Sequence, residues 1–180
     1  MDGPELIARY NAGERDFSRA HFNFADLSGA DLRGIDLSGA KLLDVDMHGV
    51  RLMKADLSWA SLLGANLADA DLSEATMSQA VLYGANLRQV NLKGVDLEGG
   101  NLGVADLRRA DLRNANLRGA DLERANLTEA DLRGADLSEA RLRSATLDGA
   151  NLEGAQVTLE QLARARSLKG TILPDGTRSG

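Results

Sequence analysis

The chain has 180 residues, 43% of them apolar, and carries 27 acidic against 21 basic side chains for a net charge of −6. Aromatic residues make up 3% and cysteine is absent, so a core must be built from Leu and Ala. Disulfides, thiolate metal sites and a cysteine nucleophile are excluded. The acidic balance argues against general binding to nucleic acid or anionic membranes. It resides mainly in residues 1–90, with 8 Lys/Arg against 13 Asp/Glu; residues 91–180 hold 13 against 14.

The first predicted element is "DGPELIARYNAG". Pro4 near the first turn, Leu6, Ile7 and Tyr10 on one side and Gly13 as a stop predict a short helix within residues 1–14. The segment lacks the basic and apolar regions of a secretory signal. No apolar run in the chain approaches the ~20 residues that a membrane helix needs. A cytoplasmic protein is expected.

From residue 15 to 157 a five-residue phrase repeats without insertion or deletion. Large apolar residues fall at Phe17, Phe22, Leu27 and onward to Leu152 and Val157, 29 positions in one phase. Two residues before them sits a small apolar residue from Ala20 to Ala155, with Gly100 as the one lapse. In the stretch "ADLRRADLRNANLRGADLERANL" (105–127) the composition favours a helix, but the period does not. At ~100° per residue, a five-residue beat spirals its leucines around every side of a helix. A flat strand fails as well, because Ala and Leu share a face and the next Ala, three residues on, would flip. The beat works only if the chain turns a corner after each Leu. Glycine at the second variable position (Gly29, Gly34, Gly39, Gly64, Gly84, Gly119, Gly134) fits the positive φ that a type II turn demands there. Short strand, corner, short strand is a solenoid that stacks on itself. Its expected soft spot is "EGGNLG" (98–103), where Gly replaces Ala inside.

The last element, "TLEQLARARSLKG", opens with a capping box of Thr158 and Gln161 and ends at Gly170. Leu159, Leu162 and Ala163 form its expected apolar side. A turn follows at Pro174-Asp175-Gly176. Solenoids cover their open sheet edges, and the two terminal segments suit that role.

Units such as "ADLRG", "ANLRG", "ADLSE" and "ANLTE" resemble the pentapeptide-repeat family, whose consensus is A(D/N)LXX. Both ends, including "SLKGTILPDG", look like those of cyanobacterial-type members. The resemblance implies an all-β solenoid: a right-handed quadrilateral parallel β-helix with four units per coil. Twenty residues per coil gives about seven coils and, at ~4.8 Å per coil, a rod of about 34 Å. The expected organisation is one domain, with a capping helix at 1–14, repeats at 15–157 and a capping helix and tail at 158–180. The resemblance also implies a monomer or an end-to-end homodimer.

Catalysis finds little purchase. His21 and His48 fall on different sides of a twenty-residue coil, so no catalytic set, metal site or cofactor site is expected. Arg108, Arg113 and Arg133 follow Asp106, Asp111 and Asp131 by two residues and read as local counter-charges. Two surfaces remain. Stepping by twenty aligns Asp16, Asp36, Asp56, Asp96 and Asp136 in an acidic column. The family resemblance links such columns to members that mimic DNA and bind DNA gyrase. Duplex DNA carries one charge per ~1.7 Å, or roughly 20 over this length, against a net −6 here. A second side replaces polar outward residues with Leu43, Leu63, Val81 and Tyr83, and Trp59, the single tryptophan, falls at the adjoining corner. A contiguous apolar patch rimmed by polar groups suggests docking of a protein partner. The expected function is a non-enzymatic protein-interaction scaffold, with a gyrase-binding DNA mimic as the alternative.

Overall fold

Most pentapeptides pair all of their backbone donors, and this dictates the architecture. In the unit around Leu27, the Leu27 N–H donates to Asp46 O of the next coil (2.7 Å) and the Gly29 N–H to His48 O (2.8 Å). The Ala30 N–H closes the corner onto Leu27 O (3.1 Å), and Asp46 donates back to Ala25 O (2.9 Å). The one N–H left over, on Ser28, is accepted by the carboxylate of Asp26 (2.9 Å). In the next coil the unit Val45–Gly49 has all five donors paired by this scheme. The computed structural model describes residues 2–180, so Met1 of the expected N-terminal segment lies outside the described residues.

The ladder advances by twenty residues per coil. Parallel bridges run Asp16–Asp36–Asp56–Thr76–Asp96–Asn116–Asp136–Gln156, and three sister columns start at His21, Asp26 and Asp31. Four columns define four sides. Each side is a single bridge rather than an extended strand, because only three residues separate consecutive corners. The third residue of every corner has positive φ, whether Gly or not.

Ala and Leu point inward. The Leu-type positions from Phe17 to Leu152 are buried, as are the small residues from Ile35 onward. Ala20, Ala25 and Ala30 of the first coil and Val157 at the far end are only partly covered. Each buried Leu contributes about 2 kcal/mol, against the ordering entropy of its repeat. The ladder runs unbroken through the expected soft spot. Gly100 is buried, donates to Leu97 O (2.9 Å) and accepts from Asp121 (2.9 Å).

Helix α1 (Gly3–Asn11) begins at the N-cap Asp2, whose side chain accepts from the Glu5 N–H. Leu6 is buried, and Ile7 and Tyr10 pack against the same core. The Tyr10 hydroxyl donates to Arg33 O at 2.8 Å, and the Arg15 guanidinium stacks on the Tyr10 ring at 3.9 Å. Helix α2 (Leu159–Leu162) has the expected capping box, with Thr158 Oγ1 accepting from Gln161 N at 3.1 Å and Gln161 Oε1 from Thr158 N at 2.9 Å. It departs from the sequence expectation in length. After one turn the chain rejoins the coil, with Arg166 N donating to Ala145 O and Ser167 bridging Thr146. That leaves Leu162 buried while Leu159 is 75% exposed and Ala163 exposed, so the expected three-residue apolar side shrinks to one residue. A hairpin through Pro174-Asp175-Gly176 then pairs Ile172 with Arg178 antiparallel.

Gly3 marks the closest approach of α1 to the coil. A Cβ built there would meet Asp26 O at 2.0 Å and the Leu27 side chain at 3.4 Å. The near atom belongs to the Asp26–Leu27 peptide, which cannot step aside without disturbing the bond from Leu27 N to Asp46 O (2.7 Å). Gly3→Ala is expected to lower stability by about 1–3 kcal/mol in urea unfolding and to speed proteolysis of the N-terminal segment.

Candidate functional site

The outward Asp/Asn position does the same work around most of the solenoid: its side chain accepts the N–H two residues on, as Asp36 does from Ser38 (2.8 Å) and Asp136 from Ser138 (2.8 Å). The acidic column Asp16, Asp36, Asp56, Asp96 and Asp136 is therefore real as an alignment, since these residues stack on one side. Its carboxylates are engaged with their own turns: Asp16 with Ser18, Asp56 with Ser58 and Asp96 with Glu98. Asp96 also accepts from Ser78 (2.7 Å) and Asn116 (2.9 Å).

Arginines two residues after an Asp fork back onto it. Arg108 reaches Asp106 through Nε (2.8 Å) and Nη2 (2.5 Å), and Arg113 holds Asp111 with the same distances. Arg133 holds Asp131 at 2.9 and 2.6 Å. These are the expected local counter-charges. His21 and His48 lie on different sides of the coil and are exposed, with His48 Nδ1 3.8 Å from Asp69 Oδ2. Among the described residues no group of three or more His, Asp or Glu could hold a metal ion, and no helix is long and apolar enough to cross a membrane. A groove of about 440 Å³ beside α2 is lined by Glu123, Arg141, Glu160 and Arg164. Those charges pair with one another, Arg141 with Glu123 at 2.6 Å and Arg164 with Glu160 at 2.8 Å.

The side that carries His21, Lys41, Ser61, Val81 and Asn101 is different. The structure places Leu43, Leu63, Val81 and Tyr83 on it, and Trp59 at the corner where it begins. Trp59 is 69% exposed, Tyr83 45% and Leu63 40%, while Leu43 and Val81 are half-buried. Helix α1 does not cover them. Two residues that the sequence reading passed over join the patch at its other corner: Phe24, 71% exposed, and Val104. Their signal was the same twenty-residue step, applied to the second variable position.

Two local observations describe this side. Phe24, Trp59 and Val104 occupy corner positions with φ of 61°, 61° and 60°, where every other non-glycine residue is polar or charged. An L-residue in that region costs about 1–2 kcal/mol, and glycine would not. In addition, Ser61 and Val81 stand where Asp or Asn would accept the N–H two residues on. The Leu63 and Tyr83 N–H groups consequently have no hydrogen-bond acceptor among the described residues, whereas the neighbouring Leu43 N–H is accepted by Asn23 (3.0 Å). Exposed rings and unpaired donors on one flat side are what a binding partner can use.

The repeat, four-sided ladder and alternating core define a pentapeptide-repeat solenoid. The chain matches the family Pentapeptide repeats in eight copies, over residues 16–52, 51–89, 91–128, 105–143 and 125–158, and belongs to that family. Its fold is the right-handed quadrilateral β-helix, and its members are generally non-enzymatic structural or interaction proteins. Among solved structures, it is similar to HetL, a pentapeptide repeat protein involved in heterocyst differentiation regulation from the cyanobacterium Nostoc sp. strain PCC 7120. That match has 35% identity, covers 99% of this chain and 100% of that one, and has a TM-score of 0.39. Alr5209, a pentapeptide repeat protein from Nostoc PCC 7120, is 40% identical over 56% of this chain and 81% of its own (TM-score 0.52). QnrB1, a plasmid-mediated fluoroquinolone resistance protein, is 20% identical over 86% and 80% (TM-score 0.70) and shares the fold. No functionally curated protein matches the chain.

The arginine forks carry a pH signature. Hydrogen bonds from Arg108, Arg113 and Arg133, opposed by burial, hold Asp106, Asp111 and Asp131 below the usual carboxylate range. In the unfolded chain these groups titrate near 3.9. A depressed folded value means that the stabilisation is complete above about pH 4 and is lost as pH falls through the folded values. Urea midpoints are expected to drop below about pH 4, and the Asp106→Asn/Asp111→Asn/Asp131→Asn triple variant, which keeps the turn acceptors, to show a shallower drop.

Proposed function

We propose that this protein is a non-enzymatic interaction scaffold whose docking surface is the apolar side bearing Leu43, Trp59, Leu63, Val81 and Tyr83, with Phe24 and Val104 at its far corner. The observation that carries this reading is the concentration of exposed apolar side chains on one of four otherwise polar sides. The remaining sides present mainly charged and polar side chains and offer a partner little beyond solvated charge. About seven coils, with α1 and α2 plus the hairpin covering the ends, present this side as a rigid strip. Rigidity lowers the ordering cost of association. In affinity capture from the native host, Leu63→Asp/Tyr83→Asp is expected to lose the partners retained by the parent protein, corresponding to at least about tenfold weaker binding. Retention of every partner would rule the surface out.

A second reading rests on the stacked Asp16, Asp36, Asp56, Asp96 and Asp136: a DNA mimic that binds DNA gyrase. It is the weaker one. At most one carboxylate per coil, with Thr76 and Asn116 interrupting the column, gives no more than one per ~4.8 Å, against ~1.7 Å per charge in a duplex, and these carboxylates already face their own turns. Gyrase supercoiling is expected to be unchanged over a wide range of added protein; inhibition abolished by Asp16→Asn/Asp36→Asn/Asp56→Asn would favour the mimic instead.

A further inference from the structure

The apolar side has an internal symmetry. Taking the coil of Trp59, Ser61 and Leu63 as the middle, Leu43 lies one coil before it and Tyr83 one coil after, in the same column. Phe24 and Val104, both at the opposite corner, lie two coils before and two coils after. A two-fold axis laid along the middle coil, in the plane of this side, reverses the solenoid direction and leaves position along the coil unchanged. We propose that the occupant of this side is a second copy of the chain, docked face to face and antiparallel about that axis. The proposal rests on the reading of this side as a docking surface.

The geometry then brings each exposed apolar residue against another. Leu63 meets Leu63 of the other copy and Trp59 meets Trp59, both on the axis. Leu43 meets Tyr83, and Phe24 meets Val104, each pairing occurring twice. This is the self-complementarity of an isologous contact, in which residue i touches j and j touches i. Lys41 falls opposite Val81 and can lay its methylene stem along it while its ammonium reaches the rim. No other placement of the axis does as well. Shifting it by half a coil sets Phe24 against Arg124 and Val104 against Asp44. Running the copies parallel sets the Trp59 corner against the corner of Gly64.

Size and charge fix the strength of the contact. Five coils at ~4.8 Å span about 24 Å, and one side of five residues at ~3.3 Å is at most about 16 Å wide. A footprint of that order belongs to the small class of interfaces, below ~1,200 Å² in total, which form and exchange readily. One repulsive element sits on the axis. The Asp44 side chain leans over Gly64, where a Cβ would meet its carboxylate, so the two copies present carboxylates to each other at the rim. Asp44→Asn should tighten the pair.

The absence of native cysteine and the single tryptophan make the test direct. Phe24→Cys and Val104→Cys are each made alone in the full chain, with circular dichroism as the check on folding. The two variants are expected to give a cross-linked dimer with a short thiol-to-thiol reagent only when mixed, because like positions lie four coils, about 19 Å, apart in the pair. In the parent protein, Trp59 emission is expected to shift to the blue as concentration rises through the dimerisation range seen by sedimentation. Cross-linking of either variant alone would overturn the antiparallel arrangement. Dimerisation with unshifted Trp59 emission would move the contact elsewhere. A chain that stays monomeric to millimolar concentration would overturn self-docking, while capture of a different partner that is lost in Leu63→Asp/Tyr83→Asp would leave the docking surface standing.

Discussion

The structure depends on one constraint: the chain must make a quarter turn every five residues while the donors of its ladder stay paired. The corner closes with a hydrogen bond from the small inward residue to the preceding Leu carbonyl, as from Ala30 to Leu27 O. It places its third residue at positive φ and leaves one outward N–H that the ladder cannot reach. The Asp or Asn side chain two residues earlier takes that last donor. Once those conditions hold, the twenty-residue coil, the four sides and the interior columns of Ala and Leu follow, because no other arrangement buries both apolar positions of every unit.

The same constraint explains why so much surface charge says so little about function. Asp and Asn recur because each unit needs an acceptor at that position. An aligned carboxylate column is the by-product of a turn rule repeated at the coil period. Arginines beside these residues complete local forks, as at Asp106, Asp111 and Asp131, and relieve the repulsion of stacked carboxylates. Where Asn follows Asp in a column the relief is a hydrogen bond between coils, as from Asn66 to Asp46 and from Asn86 to Asn66. Charge on this molecule is mostly scaffold chemistry.

The repeat, its corners and its inward columns were legible in the residues because the period admits few solutions. The capping box at Thr158 was legible for the same reason, being a local pairing with a fixed spacing. The extent of α2 was not. Ala, Leu and Arg through 165 favour a helix, but the pull of the coil, with Arg166 and Ser167 rejoining Ala145 and Thr146, ends it after one turn. Within the candidate site, the column of Leu43, Leu63 and Tyr83 could be read by stepping through the sequence in twenties. Phe24 and Val104 were harder, because they stand where glycine is common and variation looks free. Their positive φ is shared by every corner, so what marks them out is the exposure of an apolar side chain there, visible only in three dimensions.

The weight of the departures on this side lies in their chemistry, not in their number. Corner donors are also left open after Arg51, Thr76 and Thr146 on the other three sides, where Arg19, Lys54 and Asp69 take positive φ as well. Ser61 and Val81 abandon the turn acceptor and leave the Leu63 and Tyr83 donors open, and Phe24, Trp59 and Val104 accept unfavourable dihedrals in exposed positions. Neither breach improves the packing of the chain, since the interior columns beneath are the same Ala and Leu as elsewhere. What is confined to this side is exposed apolar surface within the coils: Leu63 and Tyr83 along it, and Phe24, Trp59 and Val104 at its corners. These side chains centre on one coil, and a two-fold contact is the arrangement in which both halves of that pattern have a partner.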